Sequence, residues 1–213
     1  MKVPTVGRIW VVLGGFLASP DAVLEPGAVP RLIPKMVLPS SVSGDGGRIV
    51  CPADLDGGVA MEGELALVIG RHLYRPASVD EASGAILGYT CFNDATAMAL
   101  LAAREWALAK SIDSFASIGP AVNPDLDDKA VMAGLAITTR VNGDERQRGD
   151  TALYKFPPSE VVRYLACHVT LEPGDVISLG TPPPPATVVP GDRVEIEVEG
   201  VGVLHNEVVG APS

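Results

Sequence analysis

Proline and glycine constrain this chain before any motif is read. Its 213 residues include 19 prolines and 23 glycines, scattered without a period. A proline inside a helix or a central strand removes a hydrogen bond, and glycine gathers at turns. Punctuation this dense cuts the chain into short strands and turns and argues against a helical bundle. Apolar residues make up 47% and charged residues 20%, so a sizeable core can form. The length suits one domain, or one with a small appendage. The expected fold class is α+β, mostly β.

β-Branched runs flanked by turn residues predict strands at 8–13, 64–70, 86–92, 134–142, 174–180, 192–199 and 201–209. Asn142-Gly143 predicts a hairpin turn. Helices are expected at 94–109, with Asn93 or Asp94 near the N-cap, and at 158–167, with prolines at the entry. Residues 1–50 hold one strand and much Pro-, Gly- and Ser-rich sequence, which reads as an arm or lid; residues 51–213 read as the main domain.

The net charge of −10 speaks against nucleic acid and anionic membranes, which attract clustered Lys and Arg. Cys51, Cys91 and Cys167 lack metal-ligand or redox spacing and are expected to be reduced thiols in a cytoplasmic protein. Lys2 and Arg8 ahead of "IWVVLGGFLAS" mimic a short signal peptide, but the segment reads equally well as a strand and a glycine turn. No run approaches the roughly 20 apolar residues of a membrane span.

The chemistry starts at "MEGELALVIG" (61–70), where Glu62 and Glu64 stand before an apolar run. Residues two apart on a strand share a face. "RVEIEVEG" (193–200) supplies a control: Glu195, Glu197 and Glu199 on one face, Val194, Ile196 and Val198 on the other, an ordinary half-exposed strand. After Glu64, by contrast, both faces turn apolar, with Ala66 and Val68 on one and Leu65, Leu67 and Ile69 on the other. The carboxylates therefore sit at the edge of a core. There they either share a proton or are neutralised by a cation, for which a hard ion such as Mg²⁺ or Mn²⁺ is suited. Asp94, at the end of "AILGYTCFND", is the next candidate oxygen ligand; helix N-capping is its alternative role.

Five ordered segments carry a resemblance: "MEGELALVIGR", "GYTCFNDATA", "WALAKSIDSFASIGP", "TRVNGDERQRGDT" and "LEPGDVISLGTP". Together they resemble the fumarylacetoacetate hydrolase family over roughly residues 30–209. The resemblance implies packed, rolled mixed β-sheets, a homodimer, and Glu62, Glu64 and Asp94 as ligands of Mg²⁺ or Mn²⁺. It implies a small-molecule 2-oxo acid as substrate, with Lys110 as the catalytic lysine and Gly180 and Thr181 holding the substrate carboxylate. On sequence alone, a lysine at the position of Lys110, just past a helix, is usually a solvated C-terminal charge.

The pattern also has departures. The lid-equivalent segment "LGGFLASPDAVLEP" lacks the family's histidine, and Asp21 or Glu25 is the candidate substitute. His72, His168 and His205 receive no role. Met98 stands where the family has a substrate-binding arginine, and Gly180-Thr181-Pro182 is followed by three further prolines. A base that activates water commonly contributes about 10²–10⁴-fold. Decarboxylation or double-bond isomerisation is therefore expected over C–C hydrolysis. The alternative is a catalytically altered member that binds a ligand or shapes a biosynthetic intermediate.

Overall fold

A computed structural model of the chain describes residues 1–2, 5–35, 41–53 and 57–211. Among these residues, fifteen strands form three sheets accompanied by five short α-helices, in agreement with the mostly β, α+β expectation. The largest sheet has seven strands in the order β2 (Leu32–Lys35), β1 (Ile9–Val12), β12 (Val176–Ser178), β6 (Gly63–Ile69), β7 (Ile86–Asp94), β9 (Ala116–Asn123) and β3 (Val42–Ser43). Five strands make the second: β11 (Asp144–Asp150), β10 (Ala136–Val141), β14 (Arg193–Val198), β15 (Gly202–Gly210) and β4 (Gly47–Cys51). The smallest joins β13 (Ala186–Val188), β5 (Val59–Met61) and β8 (Thr96–Ala97). The strands of the first fifty residues thus lie within the two larger sheets, with the signal-like "IWVV" as β1.

β6 is buried along its whole length and runs antiparallel to both neighbours, β12 and β7. Leu65, Leu67 and Ile69 join the larger apolar cluster, with Tyr89, Phe115, Ile137 and Ile196. Ala66 and Val68 join a smaller one, with Ile9, Val11, Phe92, Ile118 and Val176. Both faces are therefore dry. Gly63, between the two glutamates, is the point where β10 crosses closely; a Cβ there would collide with Thr139 Oγ1 and press on Ile196.

The hairpin at Asn142-Gly143 joins β10 to β11 with both residues at positive φ, 55° and 88°. Helix α5 (Pro158–Ala166) begins on prolines as expected. The helix expected at 94–109 is corrected. The chain stays extended to Asp94 and again at Thr96–Ala97, then makes two separate turns, α2 (Met98–Ala102) and α3 (Trp106–Ala109). Arg104, at φ 65°, interrupts the helical path between them. Neither Asn93 nor Asp94 is an N-cap: that position is Ala97, which makes no side-chain cap. The remaining helices, α1 (Val79–Ser83) and α4 (Asp128–Ala133), are capped by Ser78 and Asp127. No helix among the described residues is long and apolar enough to cross a membrane.

Candidate metal centre

Strand register brings the carboxylates together. Gly63 of β6 pairs with Asn93 of β7 and Glu64 with Phe92, so Asp94 falls opposite Glu62. The Asp94 amide donates to the Glu62 carbonyl at 3.0 Å, which closes the pairing one step beyond the strand. Glu62, Glu64 and Asp94 thereby offer oxygens that all lie within 4.8 Å of one another. Directly opposed strand residues share a face, so this geometry follows from two strands in register. Glu64 and Asp94 are fully buried, while the Glu62 side chain remains 12% exposed.

Each carboxylate is held by a different element. Ser178 Oγ of β12 and the Gly180 amide, the latter at 3.1 Å, donate to Glu64 Oε2. Lys110, at the end of α3, sends its ammonium to Glu62 Oε2 at 2.7 Å, Asp94 Oδ2 at 2.5 Å and Thr96 Oγ1 at 2.9 Å. The lysine side chain is 4% exposed. Burial works against its charge, but Asp94 first, then Glu62 and Glu64, outweigh that and hold its pKa above the ordinary lysine value. Burial pushes the Glu64 pKa well above the ordinary carboxylate value; Asp94 and Glu62 push it further, and Lys110 only partly opposes them.

The cluster lies at the base of a cleft of about 370 Å³. Val11, Val12, Phe16, Leu101 and Trp106 form apolar walls, and Glu62, Glu64, Lys110, Lys155 and Thr181 supply the polar lining. Of the sequence-predicted site residues, the three carboxylates and Lys110 converge, and Thr181 lines the cleft beside them. Gly180 stands one step back, its amide engaged by Glu64. Asp21 and Glu25 lie on an exposed loop; Glu25 lines a second cavity that adjoins the cleft. The three histidines are exposed: His72 sits beside Glu172, His168 beside the Tyr164 carbonyl and His205 beside Asp45.

Sequence reasoning missed Gln147 and Ser178. Gln147, 2% exposed, accepts from the Gly63 amide at 3.1 Å and Thr139 Oγ1 at 2.7 Å, and donates to Thr181 Oγ1 at 3.0 Å and to the Pro182 carbonyl. One amide thus couples the start of β6 to the Thr181 turn. Its signal was faint: a neutral residue in the charged strand "DERQRGD". Ser178 was the lone hydroxyl in the apolar "DVISLG".

Against known proteins, the profile described as Fumarylacetoacetate (FAA) hydrolase C-terminal matches residues 11–209. The chain belongs to this family. An uncharacterised protein from Methanocaldococcus jannaschii is 43% identical over 151 residues, 70% of this chain and 62% of its own length. Oxaloacetate tautomerase FAHD2A, a mitochondrial protein of Bos taurus, is 35% identical over 181 residues, 80% of this chain and 56% of that protein. The chain therefore spans about three-fifths of the length of these curated relatives. A crystal structure of 5-carboxymethyl-2-hydroxymuconate delta-isomerase from Mycobacterium smegmatis superposes with a TM-score of 0.89 at 34% identity, covering 99% of this chain and 82% of that one. The rolled, mixed sheets are the family fold.

Proposed function

We propose that this protein is a divalent-metal-dependent enzyme of enolisable 2-oxo acids, and that it isomerises or decarboxylates them in preference to hydrolysing a C–C bond. The observation that carries the reading is the buried convergence of Glu62, Glu64 and Asp94 around Lys110 at the base of one cleft.

The residues fit a hard divalent ion on their chemistry. All three donors are carboxylates, the donor type that suits Mg²⁺ or Mn²⁺. One ammonium faces three of them, and burial with the two neighbouring carboxylates raises the Glu64 pKa, a repulsion that a bound cation would relieve. Glu62, Glu64 and Asp94 would hold the ion. Such an ion supplies Lewis-acid charge where a 2-oxo acid becomes an enolate. The protein's own contribution is positional. Ser178 and Gly180 fix the Glu64 carboxylate, and Gln147 fixes the Thr181 hydroxyl beside the space where a substrate carboxylate would lie. Lys110 keeps its proton on Nζ and is placed to donate it to, or share it with, a developing enolate oxygen. Apolar walls limit water at that point.

Isomerisation and decarboxylation require this hold and a proton donor. Hydrolysis also requires a base directed at water, and Glu62 and Glu64, the carboxylates that line the cleft, belong to the cluster. The names of the tautomerase and isomerase relatives support the same ordering. The free cysteines support the cytoplasm as location, and the homodimer remains part of this proposal, measurable by sedimentation. The deciding experiment is a panel of oxaloacetate, a hydroxymuconate-type acid and an acylpyruvate, each with Mg²⁺, Mn²⁺ or chelator. Metal-dependent turnover of either of the first two, exceeding acylpyruvate hydrolysis, is expected. Fast release of pyruvate from acylpyruvates alone would overturn the reaction type. No turnover of any of them, with or without metal, would favour the ligand-binding alternative.

A further inference from the structure

Two cations line the cleft among the described residues, and the cluster uses only one of them. Lys110 is committed to Glu62 and Asp94. Lys155 is half-buried and forms no ion pair with any described residue. In a chain with ten net negative charges, a half-buried ammonium without a carboxylate partner is conspicuous. Partial desolvation costs such a charge free energy unless a partner arrives.

Backbone pairing and one ring contact position it. The Lys155 amide donates to the Gly15 carbonyl at 2.8 Å, and the Leu17 amide to the Leu153 carbonyl at 2.7 Å. Between them Tyr154 meets Phe16, with ring centroids 4.7 Å apart. These contacts lock the segment before α5 onto the turn after β1. The side chain then passes over Gly14, leaving Nζ 3.8 Å from the point a Gly14 Cβ would occupy. Both the cleft and the adjoining cavity of about 390 Å³ are lined by Lys155, together with Leu13, Gly14, Leu17 and Ala18. The ammonium therefore stands at the junction of the two spaces, on apolar walls.

We infer that Lys155 is a specificity-determining residue: it recognises a second carboxylate, at the end of the substrate remote from the 2-oxo acid group. The inference rests on the proposed action on 2-oxo acids and narrows the substrate class to 2-oxo dicarboxylates. A monocarboxylate would leave the ammonium unpaired against an alkyl chain, whereas a dicarboxylate of matching length spans from the carboxylate cluster to Nζ. Glu25 and Arg31, both exposed, also line the adjoining cavity and add one charge of each sign to it.

The test is binding to the Mn²⁺-loaded protein, followed by fluorescence of Trp106 in the cleft wall. Ligands are 2-oxo dicarboxylates of increasing chain length, each with its matched monocarboxylate, such as 2-oxoadipate against 2-oxohexanoate. A hydrogen bond to a charged group predicts a preference for the best-fitting diacid of roughly ten- to a hundredfold. Lys155→Met should abolish that preference while leaving monoacid affinity within about twofold, and Lys155→Arg should keep most of it. Equal affinity for the two acids in the wild type would overturn the inference. So would a preference that survives Lys155→Met, or a variant that weakens both acids alike, since Lys155 would then hold the shared 2-oxo carboxylate. If no 2-oxo acid of either type binds, the functional reading falls together with this one.

Discussion

Replacing Lys110 by Met tests the charge balance at the base of the cleft. The ammonium is the shared partner of Glu62 at 2.7 Å and Asp94 at 2.5 Å, and its side chain is 4% exposed. Methionine keeps most of the stem and removes the charge. Taking one partner from a buried pair costs about 3–5 kcal/mol, because the other charge stays buried without compensation. For a chain of this size each kcal/mol moves Tm by roughly 2–4 °C. Metal-free Lys110→Met should therefore melt about 6–20 °C below the wild type near neutral pH. The gap should narrow in acid, since carboxylates that bind protons no longer need the ammonium. Saturating Mn²⁺ should raise Tm more in the variant than in the wild type, the ion supplying charge that the lysine no longer does. Calorimetry in chelator and in Mn²⁺ measures both. Equal melting temperatures in chelator would refute the reasoning, as would an ion that stabilises both proteins equally.

Burial, then Asp94 and Glu62, raise the Glu64 pKa above its ordinary 4.5, so folding favours the neutral acid. That stabilisation is complete below the ordinary value and is lost as pH rises through the folded one; melts of the metal-free protein should show stability falling with pH above about 5, and Glu64→Gln should flatten the slope. Gln147→Leu should cost about 2–4 kcal/mol in denaturant titrations, because it leaves the Gly63 amide and the Thr139 hydroxyl without their acceptor in a buried site; a loss under about 0.5 kcal/mol would mean that other groups satisfy them. Gly63→Ala should destabilise by about 1–3 kcal/mol through overpacking against Thr139 and Ile196. The double variant with Thr139→Ser, read by the same titration, should not restore it, because the colliding hydroxyl oxygen remains.

Much of the fold was legible because strands are written in local pattern. The seven predicted strands all appear, some shortened, since β-branched runs between turn residues need no long-range information. The E-x-E pair was legible as well, because two apolar faces after Glu64 cannot belong to an exposed strand. The helix at 94–109 was not. "AMALLAAREWALA" carries strong helix formers, but β8 pairs with β5 and holds Thr96 and Ala97 extended, so tertiary pairing outweighs propensity at its start. The same competition decides between the two roles open to Asp94 in the sequence: the N-cap is Ala97, and Asp94, at a strand terminus, faces Lys110. Gln147 and Lys155 were illegible for another reason. Gln147 reaches Gly63, 84 residues away, as well as Thr139 and Thr181, and the Lys155 backbone pairs with Gly15; nothing in the surrounding residues records those approaches.

The charge count at the centre constrains the cofactor further than ligand type does. With all three carboxylates ionised, as ligands of an ion would be, they and one lysine carry two net negative charges at a site where Glu64 and Asp94 are buried. A monovalent cation would leave one uncompensated, and a trivalent one would invert the imbalance. A divalent ion balances the set with Lys110 still protonated, whereas a neutral lysine would require its raised pKa to collapse. The three carboxylates are also unequally restrained. Glu64 is fixed by Ser178 and Gly180, and Asp94 by the β7 backbone and Lys110. Glu62, the single residue between β5 and β6, also accepts from Lys110 but keeps a partly exposed side chain. On the proposed reading, the two more firmly anchored carboxylates would set the position of an ion, and Glu62, on the cleft side, would be the one that swings to admit it. An exchange rate sensitive to Glu62→Asp but not to Ser178→Ala would agree with that order; the reverse would assign the gate to Glu64.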